Sequence, residues 1–324
     1  MTVLVTGVAG FIGAHVAAAL LRRGEQVIGI DNLVPYYNPA LKLARLDGLR
    51  GQPGFRFIQA SIADRAAMES VVDEAPDIDR VVHLAAQAGV RHSLVDPWSY
   101  VTANVMGHVT VLEAARRLKR LRHLVYASSS SVYGSSTDVP FTESDRADRP
   151  TSLYAATKRA DELISHAMWH LHAMPMTGLR FFTVYGPWGR PDMAYFLFAE
   201  AIMAGRPITL FENGELRRDF TFIDDIVVGV LAALDRVPET NVPPRVFNLG
   251  NNRGEQVSTL VGLLEQGLGR RAEIISAPKP QADVPETAAS LAESREFLGF
   301  MPQVRLADGV PRFTDWFLDW RKNL

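Results

Sequence analysis

Tyr154-Ala155-Ala156-Thr157-Lys158 places a phenol and an ammonium one helical turn apart on the same helix face. An ammonium beside a phenol favours the phenolate, so such a pair can take a proton from an alcohol. The same spacing also occurs on solvated helices, and it gains meaning here from what precedes it. Val125-Tyr126-Ala127 is a buried-type run that ends in four consecutive hydroxyls, Ser128 to Ser131, followed by Val132-Tyr133-Gly134. Serines cap turns, but at the carboxyl edge of a parallel sheet they also stand where ligands bind.

A second constellation opens the chain. Gly7-Val8-Ala9-Gly10-Phe11-Ile12-Gly13 follows an apolar run and precedes a helical pattern, with glycines spaced three and three. Without Cβ atoms the backbone can turn sharply and approach a pyrophosphate, which rests on amides at the helix N-terminus. The next apolar run ends at Ile30-Asp31-Asn32, where an acid is expected to bind a ribose. A carboxylate accepts from a ribose 2′-hydroxyl and repels a 2′-phosphate, so Asp31 argues for NAD over NADP. His83-Leu84-Ala85-Ala86-Gln87-Ala88 ends another run with small residues, where a nicotinamide ribose can come close. Gly7, Gly10, Phe11, Ile12, Gly13, Asp31, Asn32, Leu84, Ala85, Ala86, Gln87 and Asn104 are the expected cofactor-binding residues, with Ser61 and Ile62 after the third run.

The elements that must carry these groups follow from periodicity. Val3–Thr6, Gln26–Ile30, Phe55–Gln59, Arg80–Ala85, His123–Ser128, Thr177–Phe182 and Val246–Leu249 read as strands. Phe11–Arg23, Arg65–Glu74, Pro97–Leu118 and Ser152–His172 read as helices between them. The alternation predicts a Rossmann-like, doubly wound parallel α/β sheet over residues 1–183, with a return strand near 246–250. A smaller α/β substrate-binding domain is expected over 184–324, where prolines punctuate shorter elements.

The 34 basic and 36 acidic residues nearly cancel, which favours neither a nucleic acid nor a membrane surface as partner. The absence of cysteine removes disulfides, thiolate metal sites and thiol nucleophiles, and no metal is expected. Met1 to Gly7 lacks a basic leader and breaks at glycine, so it reads as a first strand rather than a signal peptide, and a cytoplasmic protein is expected.

With these residues in view the chain resembles the extended short-chain dehydrogenase/reductase superfamily, and within it the UDP-glucuronate 4-epimerases. The likeness covers almost the whole chain. It rests on Thr6–Gly13, Tyr36-Tyr37-Asn38, Leu41-Lys42, Ala44-Arg45-Leu46, Leu84–Arg91, Ser128–Gly134, Ser152–Lys158, Gly178–Met193 and Arg217–Asp225. The glycines and Tyr154/Lys158 mark the superfamily, whereas Arg180 through Met193 looks specific to uronate epimerases.

The resemblance implies that Tyr154 removes the sugar 4-hydroxyl proton while hydride passes to tightly held NAD, with Ser129 on the same oxygen and Lys158 on the nicotinamide ribose. It implies Ser130, Ser131, Thr183 and Arg190 as donors to a substrate carboxylate and Arg218 as a diphosphate ligand. It further implies Ile208–Phe211, with Thr209 and Phe211, as a uracil-binding strand, and Asp283 within a late diphosphate motif. A homodimer through Pro97–Leu118 and Ser152–His172 is expected as well.

Related dehydratases carry an Asp-Glu pair where this chain has Ser130 and Ser131, and related decarboxylases a glutamate at Ser131. Galactose epimerases usually have Asn at the place of Thr183. A decarboxylase, another UDP-sugar 4-epimerase and a non-catalytic NAD-binding protein remain alternatives. Ser61, Pro280 and Ser290 depart from the family pattern, which usually has an acid, a Gln or Arg and an acid there.

Overall fold

Alternation within each strand decides which face of the central sheet a residue serves: Val3 and Val5 enter one core cluster, Leu4 the other. A computed structural model describes residues 1–136, 138–279 and 284–322. Strands β1 (Thr2–Thr6), β2 (Gln26–Asp31), β3 (Phe55–Gln59), β4 (Ile78–His83), β5 (His123–Ser129) and β6 (Met176–Phe181) are followed by β7 (Thr183–Tyr185), β8 (Ile208–Phe211) and β9 (Arg217–Phe222). Then come β10 (Arg245–Leu249), β11 (Gly254–Gln256) and β12 (Ile274–Ala277). The main sheet has seven parallel strands in the order β3-β2-β1-β4-β5-β6-β10. Its direction of progression reverses between β1 and β4, and the crevice at the carboxyl ends of these strands is where a doubly wound sheet takes its ligand.

Helices Phe11–Arg22 and Ile223–Asp235 pack against one another on one face. Arg65–Glu74, Gly107–Arg116 and Leu153–His172 cover the other. A three-stranded sheet, β11-β9-β7, and a parallel pair, β12-β8, build the rim beyond residue 183 together with the helices Ala194–Met203, Val257–Leu268 and Leu306–Lys322. Among the described residues no helix is long and apolar enough to cross a membrane.

The stretch expected as one helix, Pro97–Leu118, is divided. Pro97–Tyr100 passes through a π-helical segment, Val101–Met106, into Gly107–Arg116. The wide turn carries Asn104, whose carboxamide accepts from the Gln87 amide at 2.7 Å and donates to the Gln87 carbonyl at 3.0 Å and to Thr157 Oγ1 at 2.9 Å. These three bonds occur in a buried setting and offset the irregular backbone.

Asp219 joins the rim to the main sheet. Its carboxylate accepts from the Asn251, Asn252 and Ala289 amides at 2.5, 3.0 and 2.9 Å and from Thr221 Oγ1 at 3.1 Å, fully buried. Removing it leaves four donors without their acceptor. Asp219→Ala is therefore expected to destabilise the fold by roughly 2–5 kcal/mol, read as a lowered urea midpoint.

Candidate active site

The glycines after β1 differ in what each one makes possible. Gly7 has φ +73° and donates to the Ile30 carbonyl at 2.7 Å; a Cβ there would stand 2.8 Å from the Ala85 nitrogen. Gly10 caps the helix Phe11–Arg22, and a Cβ on Gly13 would lie 2.1 Å from the Gly7 carbonyl oxygen. The loop, the helix start and the end of β4 are in backbone contact, and only Gly fits between them. No acidic residue occupies the first turn of that helix, so its amides are open to an anion.

At the end of β2 the Asp31 carboxylate accepts from the Ala9 amide at 3.1 Å and the Leu33 amide at 2.9 Å. Lys42 approaches it to 3.9 Å and donates to the Val34 carbonyl at 3.0 Å. Burial lowers the Lys42 pKa, with Asp31 opposing. Asn32, Ser61 and Ile62 continue this wall, and Leu84 to Gln87 form the opposite one. A glycine cradle that any Cβ would fill, followed by a buried ribose-height carboxylate, fits a dinucleotide such as NAD.

The same cleft, about 590 Å³, continues to the serines of β5. That size suits a ligand pocket. Ser128 lines the cleft, but its hydroxyl is engaged: it donates to Glu162 at 2.6 Å, and Glu162 is held by Arg180 at 2.8 and 2.9 Å and by Arg159 at 2.6 Å. Ser129 caps the short turn Ser130–Tyr133 by accepting from the Ser131 amide at 3.2 Å, which leaves Ser129, Ser130 and Ser131 on the cleft wall with Thr183.

Ser152 caps Leu153–His172 by accepting from the Ala155 amide at 3.1 Å, which puts Tyr154 in the first turn and Lys158 one turn on, both lining the cleft. Lys158 donates to Asp161 at 2.7 Å. The Tyr100 ring stands edge-on to Tyr154 at 6.1 Å, and its hydroxyl donates to the Ala88 carbonyl at 2.9 Å. Burial pushes the Tyr100 phenol up to about 12, so it stays a donor.

Arg190 also lines the cleft, paired with Asp192 at 3.0 and 2.5 Å, while Tyr36 donates to the same carboxylate at 3.0 Å. Burial alone would raise the Asp192 carboxyl, but Arg190 and Tyr36 hold it below its ordinary value. Behind this wall lies Arg45, buried, with five contacts: the Ala9 carbonyl at 3.0 Å, the Tyr37 hydroxyl at 2.8 Å, the Trp188 carbonyl at 3.0 and 2.6 Å and the Gly189 carbonyl at 2.9 Å. One guanidinium thereby ties the glycine loop to the segment that bears Arg190.

Arg218 reaches the cleft from β9 and donates to the Arg217 carbonyl at 2.8 Å and the Pro285 carbonyl at 3.3 Å. Three expected site residues stand off the cleft wall. Asn104 acts behind it through Gln87, Thr209 is exposed on β8, and the Phe211 ring is covered by the Arg91 guanidinium at 5.2 Å. Asp283 and Pro280 lie outside the described residues. Sequence reading did not single out Lys42, Asp161, Asp192, Tyr36 or Tyr100 as site residues. Tyr36 and Lys42 sit in stretches that carry the family likeness, whereas the partners of Asp161 and Asp192 show only in three dimensions.

A cofactor fold with a Tyr/Lys pair and a hydroxyl wall defines a class, and the chain belongs to the NAD dependent epimerase/dehydratase family, whose profile matches residues 3–250. UDP-glucuronate 4-epimerase 4 of Arabidopsis thaliana is 46% identical over 334 residues, 99% of this chain and 76% of that protein. The probable UDP-glucuronate 4-epimerase of Rhizobium meliloti is 44% identical over 98% of this chain and 97% of its own. Among solved structures, the UDP-glucuronic acid 4-epimerase from Bacillus cereus in complex with UDP-glucuronic acid and NAD superimposes with a TM-score of 0.91 at 33% identity, covering 99% of this chain and 100% of that one.

Asp31→Asn keeps the size of the side chain and removes its charge. NAD affinity, measured by titration calorimetry on cofactor-free protein, is expected to fall about ten- to a hundredfold.

Proposed function

We propose that this chain is a UDP-glucuronate 4-epimerase that interconverts UDP-glucuronate and UDP-galacturonate through a transient 4-keto sugar. One observation carries the reading beyond the full-length likeness: among the described residues that line the cleft, Asp31 is the sole carboxylate. It belongs to the cofactor end. Around Tyr154 the wall is Ser129, Ser130, Ser131 and Thr183, with Lys158, Arg190 and Arg218 as cations. Uncharged donors accept a sugar carboxylate without repelling it, and among the described residues no acid lines that part of the wall to assist loss of water or of carbon dioxide.

NAD, when bound, supplies the hydride acceptor at the sugar carbon and returns the hydride. Gly7, Gly10, Phe11, Ile12 and Gly13 would hold its pyrophosphate, Asp31 and Asn32 a ribose, Ser61 and Ile62 the adenine side, and Leu84 to Gln87 the nicotinamide side, with Asn104 bracing Gln87. Tyr154 acts as the base on the 4-hydroxyl and gives the proton back after inversion. Lys158 favours its phenolate, and Ser129 donates to the same oxygen. Hydroxyl rotors re-aim at little cost, so Ser130, Ser131 and Thr183 can satisfy the sugar in both orientations that inversion requires. Arg218 would face the diphosphate.

In this reading residues 1–183 hold the cofactor and residues 184–324 complete the nucleotide-sugar side, β10 returning to the main sheet. The working form is a homodimer. Leu94, Val95 and Trp98 are 73, 78 and 79% exposed beside Val101, Met106 and Val109, and Leu163 and Leu171 are uncovered on the neighbouring helix Leu153–His172. Apolar surface of this extent calls for a partner. The cysteine-free composition suits a cytoplasmic setting.

Incubation with UDP-glucuronate is expected to yield UDP-galacturonate, resolved by chromatography, while a UDP-pentose would establish a decarboxylase instead. Tyr154→Phe should keep NAD bound and reduce turnover by about 10²- to 10⁴-fold; an undiminished rate removes Tyr154 from the mechanism. Light scattering is expected to give twice the chain mass for the native protein and the chain mass for Trp98→Asp.

A further inference from the structure

The Lys158 ammonium is not answered by the cleft alone. Its closest partner is Asp161, three residues along the same helix, at 2.7 Å. Both side chains are almost wholly buried, and the second oxygen of Asp161, Oδ1, has no hydrogen-bonding partner among the described residues. A carboxylate in this position is costly to bury and makes one strong contact, which goes to the lysine of the catalytic pair.

The groups that face the pair add no competing charge. His83 of β4 is bonded to Thr6 Oγ1 at 2.7 Å, and burial first, then the Lys158 charge, pushes its imidazole down to about 3. His108, stacked on His83 at 5.2 Å and bonded to Ser165 at 2.9 Å, lies well below its ordinary value for the same first cause. From β5, the Tyr126 phenol is pushed up by burial and stays neutral. Glu162 is neutralised by Arg180 and Arg159, and Arg190 across the cleft by Asp192. Tyr100, facing Tyr154, is likewise protonated. Burial raises the Asp161 carboxyl to about 6, with Lys158 opposing, so it is ionised above neutral pH.

We propose that Asp161 is a positioning residue for the Tyr154/Lys158 pair: it anchors the Lys158 ammonium at the floor of the cleft and attenuates the positive field which that ammonium exerts on the Tyr154 phenol. An ammonium has three donors; Asp161 takes one, fixes the side chain and leaves two for the cleft. Tyr154 and Asp161 are seven residues apart, about 10 Å along the axis at 1.5 Å per residue. At an effective dielectric near 20, a unit charge at about that separation moves a proton equilibrium by about one pH unit. The proposal rests on the assignment of Tyr154 as the proton-carrying residue, but not on the identity of the sugar.

The test is a spectrophotometric titration of phenolate in NAD-loaded protein without substrate, taking the difference between each protein and its Tyr154→Phe counterpart. In Asp161→Asn, which keeps an acceptor but no charge, the midpoint is expected about one pH unit lower than in the native protein. The acid limb of kcat/KM for UDP-glucuronate should follow it. A merely structural residue would change thermal stability and leave the midpoint in place; an unchanged or raised midpoint overturns the proposal. Asp161→Ser provides the same comparison if the Asn variant does not fold, and failure of both to fold would show a structural requirement and overturn it likewise. Absence of epimerase activity with the midpoint shifted would count against the substrate and not against Asp161.

Discussion

Backbone contact at the carboxyl end of β1 is the constraint from which the site follows. The Gly7 carbonyl lies so close to Gly13, and Gly7 itself so close to Ala85, that a methyl group at either glycine would displace the loop, the helix or β4. This crowding brings helix-end amides, the Asp31 carboxylate and the small residues after β4 to one crevice. The strand order reverses there, and the serines of β5 and the Tyr154 helix form the far wall of the crevice.

Electrostatics then divide that crevice in two. At the cofactor end Asp31 is set by two amides and shadowed by Lys42. Around Tyr154 the cations are Lys158, Arg190 and Arg218, of which the first two carry their own carboxylates, the buried Asp161 and the partly buried Asp192. Cations balanced in this way exert a weaker field than bare ones, and their side chains are held before any ligand arrives. Preorganisation of this kind suits a reaction whose transition state needs a phenolate at one fixed place.

The parallel core was legible because Val3-Leu4-Val5 and its counterparts alternate between two buried faces, and because glycine spacing has few uses after a strand. The helical rim was less so. Leu306–Lys322 contains Pro311, and Ala194–Met203 begins without a capping side chain, so the usual signs of a helix are missing although packing sustains both. The π-helical turn at Val101–Met106 leaves no mark in the apolar period; it shows only in the fold, where it carries Asn104 to Gln87 and Thr157. Tyr154 and Lys158 could be read from their spacing, but Asp161 at the next turn looks like any acidic helix residue until its burial is known. Thr209 and Phe211 were legible only through the likeness along the chain, since β8 carries them outside the lining of the cleft.

Arg45 has a consequence for the way the two sides of the cleft behave together. Its guanidinium grips Ala9 on one side and Trp188 and Gly189 on the other, so the glycine loop after β1 and the strip bearing Arg190 share a single rivet. With buried hydrogen bonds to carbonyls on both sides, neither wall can shift without straining the other, so the backbone around the cleft is braced as one piece.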